Sequence, residues 1–235
     1  MNRRHCAGIA LGIALGLSRT ADAAGWREWA EIPAHETRGG MAGGFEMGRT
    51  EVTVREFVEY LNRAGVANYP ETAQIRRAGG GGYAARRGTG EEAVAEVTAA
   101  EAEGFCMWLS ERTGRRVRLP TEAEWEVAAR GGIDGAPYPW GWGGEPRKMA
   151  RFDAEGPARK GGGHPANGFC LFDMAGNVFE WCAAEAGDGF AVARGGAWPE
   201  RDPKMLRVDR STRFPAGYRG RDVGFRPLRE AAGGP

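Results

Sequence analysis

The sequence predicts an α+β fold with little regular secondary structure. Three observations carry this reading. First, three short apolar-patterned segments each open on a threonine with a glutamate three residues on: Thr53/Glu56, Thr98/Glu101 and Thr121/Glu124. That spacing lets the hydroxyl and the carboxylate satisfy each other's backbone N–H groups at a helix start. Second, the β-branched stretches between and after these segments are only a few residues long and are broken by turn residues. Third, 39 of the 235 residues are glycine, alongside eight Trp and ten Phe. That glycine share is well above the usual value of about 7%, and it has no collagen-like period. Glycine supplies turns at positive φ, and aromatic rings supply large burial per residue. The composition thus describes loops pinned by buried rings, not a disordered chain.

In chain order, residues 1–23 read as an export signal. Arg3 and Arg4 precede an apolar run from Cys6 to Leu17, and Ala21-Asp22-Ala23 has the small-x-small form of a cleavage site. The run is too short to span a bilayer. Removing the segment takes away Arg3, Arg4, Arg19 and Asp22, leaving 29 basic and 30 acidic residues and a net charge of −1. Such a balance gives no reason to expect nucleic acid or acidic lipid as a partner. The expected location is periplasmic or secreted, with no membrane anchor after cleavage. Residues 24–44 form a lead-in strand and loop, 45–229 the domain, and 230–235 a tail.

Phe45–Thr53 is β-rich and reads as a strand. Thr53 then caps a helix from Val54 to about Arg63, with Phe57, Val58 and Leu61 on one face. Residues 64–93, with Gly79–Gly82, have few core formers and are expected to make a long surface excursion. Thr98 caps the second helix, whose stripe is Ala102, Phe105, Cys106 and Leu109; Thr113-Gly114 ends it. Val117–Leu119 is a short strand stopped by Pro120. Thr121 caps the third helix, with Trp125, Ala128 and Ala129 facing inward and Gly131-Gly132 as terminator. Residues 133–171 read as loop, with Tyr138–Trp142 as an aromatic clamp. Short strands and turns fill the remainder.

After signal removal three cysteines remain, Cys106, Cys170 and Cys182, with no CxxC spacing. They read as buried, inert thiols, or as one Cys170–Cys182 bridge in an oxidising compartment. His35 and His164 are too few for a three-histidine metal site, and His164 sits in a Gly-Gly-His-Pro turn.

Four blocks occur in a specific order: Arg118–Gly132 (RLPTEAEWEVAARGG), Phe172–Trp181 (FDMAGNVFEW), Arg194–Trp198 (RGGAW) and Gly224–Arg226 (GFR). Together with Glu51-Val52-Thr53 and Cys106–Leu109 they resemble the formylglycine-generating-enzyme (sulfatase-modifying-factor) family over roughly residues 45–228. The resemblance implies the formylglycine-generating-enzyme fold, an irregular C-type-lectin-like α+β fold. It also implies structural calcium, with Asp173 and Glu180 side chains and the Gly176 and Val178 carbonyls as ligands. Hard oxygen ligands converging on a glycine-containing turn suit that ion; without a metal, Asp173 and Glu180 would cap and orient the turn. A second family calcium site needs an asparagine near Arg151 and is expected to be absent. The family's catalytic copper is held by two cysteines between the RGG and GFR blocks. Here those positions fall at about Asp202 and Arg207, and the stretch 199–213 contains no cysteine. Copper(I) needs soft thiolate ligands, so copper-dependent formylglycine formation is not expected.

The family's substrate groove corresponds to the arginine-rich C-terminal third. Trp198, Arg201, Arg207, Arg219 and Arg221 are the candidates for binding a partner through aromatic and bidentate contacts. Arg194, Arg210 and Arg226 are expected to hold loops together, pairing with acids such as Glu124, Glu126 or Glu180. Helical spacing places alternate members of Glu122, Glu124 and Glu126 on different faces, so no catalytic pair is read there. The expected function is an exported oxidative maturation or accessory factor acting on a peptide or protein partner, with no redox metal placed. The alternative is a non-catalytic, calcium-stabilised, lectin-like binding module.

Overall fold

The computed structural model describes residues 27–37, 40–183 and 188–231. The expected export signal lies outside them. All three capping boxes form. In each, the threonine hydroxyl accepts from the glutamate N–H and the glutamate carboxylate accepts from the threonine N–H. They start α1 (Val54–Arg63), α2 (Ala99–Thr113) and α3 (Glu122–Arg130). Gly114 and Gly131 end α2 and α3 at φ 66° and 62°, the left-handed cap that glycine adopts without a Cβ penalty. The buried residues are the expected stripes: Phe57 and Leu61 in α1; Ala102, Phe105, Cys106 and Leu109 in α2; Trp125, Ala128 and Ala129 in α3. Val58 is only partly buried.

One sheet joins the two ends of the described chain. Strands β1 (Trp29–Ile32), β4 (Phe45–Gly48), β12 (Leu228–Glu230) and β7 (Val117–Arg118) lie in that order, each pair antiparallel. Ala30 faces Met47 and Ile32 faces Phe45, and all four pack in one core with Trp125, Ala128 and Ala129 of α3. Residues 29–32, assigned to a lead-in before the domain, are therefore one of its sheet strands, and Glu230, assigned to the tail, closes β12. Between β1 and β4, β2 (His35–Thr37) and β3 (Gly40–Ala42) form a hairpin.

The second sheet runs β10 (Ser211–Pro215), β9 (Phe190–Arg194), β8 (Phe179–Trp181), β11 (Val223–Gly224), with β8 and β11 parallel. It meets α1 and α2 in the larger core. There Phe105 and Phe57 lie edge-on to Phe225, with ring centres 5.3 and 6.1 Å apart. Trp181 is fully buried, its indole N–H donating to the Val97 carbonyl at 2.9 Å.

Two expectations are corrected. Residues 64–93 are not a mere surface excursion. They hold the hairpin β5 (Ile75–Arg77) and β6 (Tyr83–Ala85), and Tyr69, Ile75 and Tyr83 are buried in the main core. The Tyr83 hydroxyl accepts from Tyr69 N–H and donates to the Ala67 carbonyl, so a polar tip closes an apolar anchor. In 133–171, a single-turn helix α4 (Pro146–Met149) interrupts the loop. The aromatic clamp there is two rings, Tyr138 stacked on Trp140 at 4.9 Å, while Trp142 is 65% exposed.

Candidate functional site

The site is built around the turn between α4 and β8. Asp173, Gly176 and Asn177 all adopt left-handed backbone, at φ 54°, 77° and 60°. Gly176 has a specific reason to be glycine: a Cβ there would collide with the Arg151 carbonyl. The turn is pinned on both sides, Gly176 N–H donating to Gly195 O at 2.8 Å and Asn177 N–H to Arg151 O at 2.9 Å. The Asn177 side chain fastens the adjoining loop: it donates to Glu51 Oε1 and Arg159 O and accepts from Arg159 N–H.

The two carboxylates of the expected calcium turn have different fates. Asp173 accepts from Gly162 N–H and faces His164 Nδ1 at 3.4 Å. Glu180 is saturated. Arg226 Nε reaches both of its oxygens at 3.1 and 3.0 Å, Arg226 Nη2 reaches Oε1 at 2.7 Å, and the Trp125 indole N–H reaches Oε2 at 2.7 Å. Arg226 also donates to the carbonyls of Gly48 and Phe172, locking four chain segments together. Glu180 thus does not fit the role of a cation ligand in this arrangement. Asp173 with the Gly176 and Val178 carbonyls is what the turn can offer. Beside the turn lies a further carboxyl with an unpartnered oxygen. Glu51 Oε2 is buried with no hydrogen-bond partner, and burial, then the Asp173 charge, pushes the Glu51 carboxyl up to about 8. Among the described residues no group of three His, Cys, Asp or Glu side chains converges as a metal cluster.

Of the five groove candidates, the structure brings some together and removes others. Trp198 and Arg201 line a cleft of about 460 Å³ with Arg147, Asp153 and Glu155. Arg201 is 89% exposed. Arg221 is exposed beside them, its carbonyl accepting from the Trp198 indole at 3.3 Å. Arg207 donates to both carboxylate oxygens of Asp209, at 2.9 and 2.6 Å. Arg219 is engaged within the fold: it donates to Glu96 O and Glu101 Oε1 and lies 5.2 Å from the Tyr69 ring centre. Arg194 is structural as expected, bridging Glu122 and Glu126 of α3 to the Val208 carbonyl. Glu124 pairs instead with Arg118. Arg210, expected to hold loops, is exposed, with no side-chain partner among the described residues.

Sequence reasoning missed the cations of 147–160. Arg147, Arg151, Arg159 and Lys160 line a second cleft of about 340 Å³ against Asp173 and His164. Their signal was present as basic residues in a Gly-rich loop, but nothing in the pattern said they would face one space. His164, expected as a solvent-exposed turn residue, instead faces Asp173 with 24% of its side chain exposed. The thiols form no bridge: Cys106 and Cys182 are buried, Cys170 is half-buried, and none is in a disulfide. Burial pushes the Cys106 and Cys182 thiols well above their ordinary range.

Two small sheets braced by three capped helices, with a pinned Asp173–Glu180 turn, define a protein of the formylglycine-generating-enzyme fold. The chain belongs to the sulfatase-modifying factor family: residues 15–231 match the Sulfatase-modifying factor enzyme 1-like domain. It is 37% identical over 120 residues to the inactive C-alpha-formylglycine-generating enzyme 2 of Mus musculus, which covers 45% of this chain and 37% of the relative. It is 40% identical over 104 residues to the formylglycine-generating enzyme of Thermomonospora curvata, covering 38% and 32%. The chain thus spans about a third of the length of these curated relatives. Among solved structures, PvdO from Pseudomonas aeruginosa superposes with TM-score 0.69 at 26% identity, covering 87% of this chain and 95% of that one.

Proposed function

We propose that this chain is an exported accessory factor of the sulfatase-modifying factor family, which holds a peptide or protein partner in the Trp198–Arg201 cleft and does not make formylglycine. The observation that carries the reading is the segment 199–213, which holds no cysteine and carries Asp202 and Arg207 where the family's copper ligands would fall. Neither side chain offers a soft sulfur donor. The thiols elsewhere do not supply the pair: Cys106 lies inside α2 and Cys182 just beyond β8, both buried, and burial keeps both protonated. The similarity to a relative named as inactive supports the same reading. The cleft itself supports partner binding: an indole and exposed guanidinium groups are the side chains that anchor interfaces. Export rests on the Arg3–Ala23 segment; among the described residues no helix is long and apolar enough to cross a membrane.

The test is incubation of copper-supplied protein with a cysteine-containing sulfatase-motif peptide, followed by mass spectrometry. The peptide is expected to emerge with unchanged mass. Formylglycine in the product overturns the proposal.

A further inference from the structure

The cleft against Asp173 carries three cations, Arg151, Arg159 and Lys160, that do not line the Trp198 cleft. Four of its lining residues, Arg147, Arg151, Arg159 and Lys160, are cations, and Asp173 is the one acid among the lining residues. Arg147 pairs with Asp153 and Lys160 with Glu91, but both pairs are at the surface, where such contacts are weak and exchange readily with an incoming anion. Arg159 is exposed and has no ion pair or side-chain hydrogen bond among the described residues. Among the described residues Arg151 has no carboxylate partner. Its Nη2 holds the carbonyls of Glu155, Gly156 and Pro157, and its Nε is buried with nothing to donate to. A buried donor left unmade costs free energy that a new acceptor would recover.

The adjoining cleft tells what kind of anion fits. It shares Arg147 and Ala154 with the first and adds Trp198 and Pro199. There Asp153 and Glu155 balance Arg147 and Arg201, so that end has an aromatic ring and no excess charge. A bare oxyanion would use only the first cleft. A chain with a carboxylate at one position and an apolar side chain a few residues away would use both. We propose that the Arg151–Arg159–Lys160 cleft binds the carboxylate of an acidic peptide segment whose neighbouring apolar residue rests on Trp198. This rests on the partner-binding reading and names the chemistry of that partner.

The experiment is fluorescence anisotropy of the full chain with two labelled peptides. One carries paired Asp and Glu a few residues from a Phe; the other carries Asn and Gln in their place. Charge-assisted hydrogen bonds to Arg predict that the acidic peptide binds about tenfold more tightly. That preference is expected to vanish in Arg159→Gln/Lys160→Gln, with the melting curve unchanged because both side chains are exposed. Trp198→Ala is expected to weaken both peptides alike. Equal binding of the two peptides overturns the acidic-segment inference and leaves the partner reading standing. Binding of neither overturns both. Displacement of the acidic peptide by inorganic phosphate at concentrations as low as those of the peptide itself identifies a free-oxyanion site and overturns the inference.

Discussion

Arg226→Met is the substitution that most directly tests how this domain is held together. The Arg226 and Glu180 side chains are 0% and 1% exposed, so neither charge has access to water. Methionine keeps much of the arginine stem and removes only the guanidinium. Glu180 is then a buried carboxylate whose one remaining donor in the site is the Trp125 indole, and the carbonyls of Gly48 and Phe172 lose theirs. Breaking a buried pair from one side costs about 3–5 kcal/mol. Each orphaned carbonyl adds about 1 kcal/mol. The expected loss is therefore about 5–7 kcal/mol, a large share of the roughly 5–15 kcal/mol that holds a domain folded. Arg226→Met/Glu180→Gln removes the stranded charge while keeping an acceptor for Trp125, and should recover at least about 2 kcal/mol of it. The assay is urea unfolding followed by tryptophan fluorescence and far-ultraviolet circular dichroism, analysed as a double-mutant cycle. A single-variant loss under about 1 kcal/mol, or a double variant no better than the single, refutes the reasoning. Calcium adds a sharper arm: if it restores Arg226→Met to wild-type stability, Glu180 is a metal ligand after all.

Three further outcomes are expected. Burial alone would raise the Glu46 carboxyl, but hydrogen bonds and charge from Arg229 and Arg115 outweigh it and hold it below its ordinary 4.5. The folded state then binds fewer protons than the unfolded one, so this stabilisation is present above the ordinary value and is lost as pH falls beneath it. Glu46→Gln should accordingly be less stable than wild type at neutral pH and lose less on acidification; parallel pH–stability curves would contradict this. For the Asp173 turn, calcium is expected to raise the melting temperature over chelator by about 2–5 °C, and Asp173→Ala to abolish that difference; identical wild-type melts would remove calcium from the site. For the thiols, Ellman's reagent should label Cys170 in the native protein and reach Cys106 and Cys182 only on unfolding. Rapid native labelling of all three would show that the core at α2 and β8 is open.

Local chemistry made the helices legible. A capping box and a glycine C-cap act within one turn of chain, so Thr53, Thr98 and Thr121 and their partner glutamates marked the helix starts correctly. The stripes of α2 and α3 followed from helical period alone. The hairpin of 75–85 was not legible, because Tyr69, Ile75 and Tyr83 are single apolar anchors spaced among glycines and arginines, with no period to read. The place of the lead-in strand was not legible for a related reason: β1 is four residues long and is positioned by pairing with β4, whose neighbour β12 lies far along the chain.

For the site, the sequence by itself determined that the segment 199–213 carries no cysteine, since folding cannot supply a side chain the segment lacks. It also determined which blocks form the turn. Which arginine does what was decided only by tertiary structure. Arg194, Arg201, Arg207, Arg219, Arg221 and Arg226 are alike in sequence, and each role depends on which carboxylate or carbonyl a distant segment brings within reach: Glu122 and Glu126 for Arg194, Glu101 for Arg219, Glu180 for Arg226. The loop cations at 147–160 gained a shared cleft in the same way. Charge–charge interaction acts through space and falls with distance, whereas the chain records only order along the backbone.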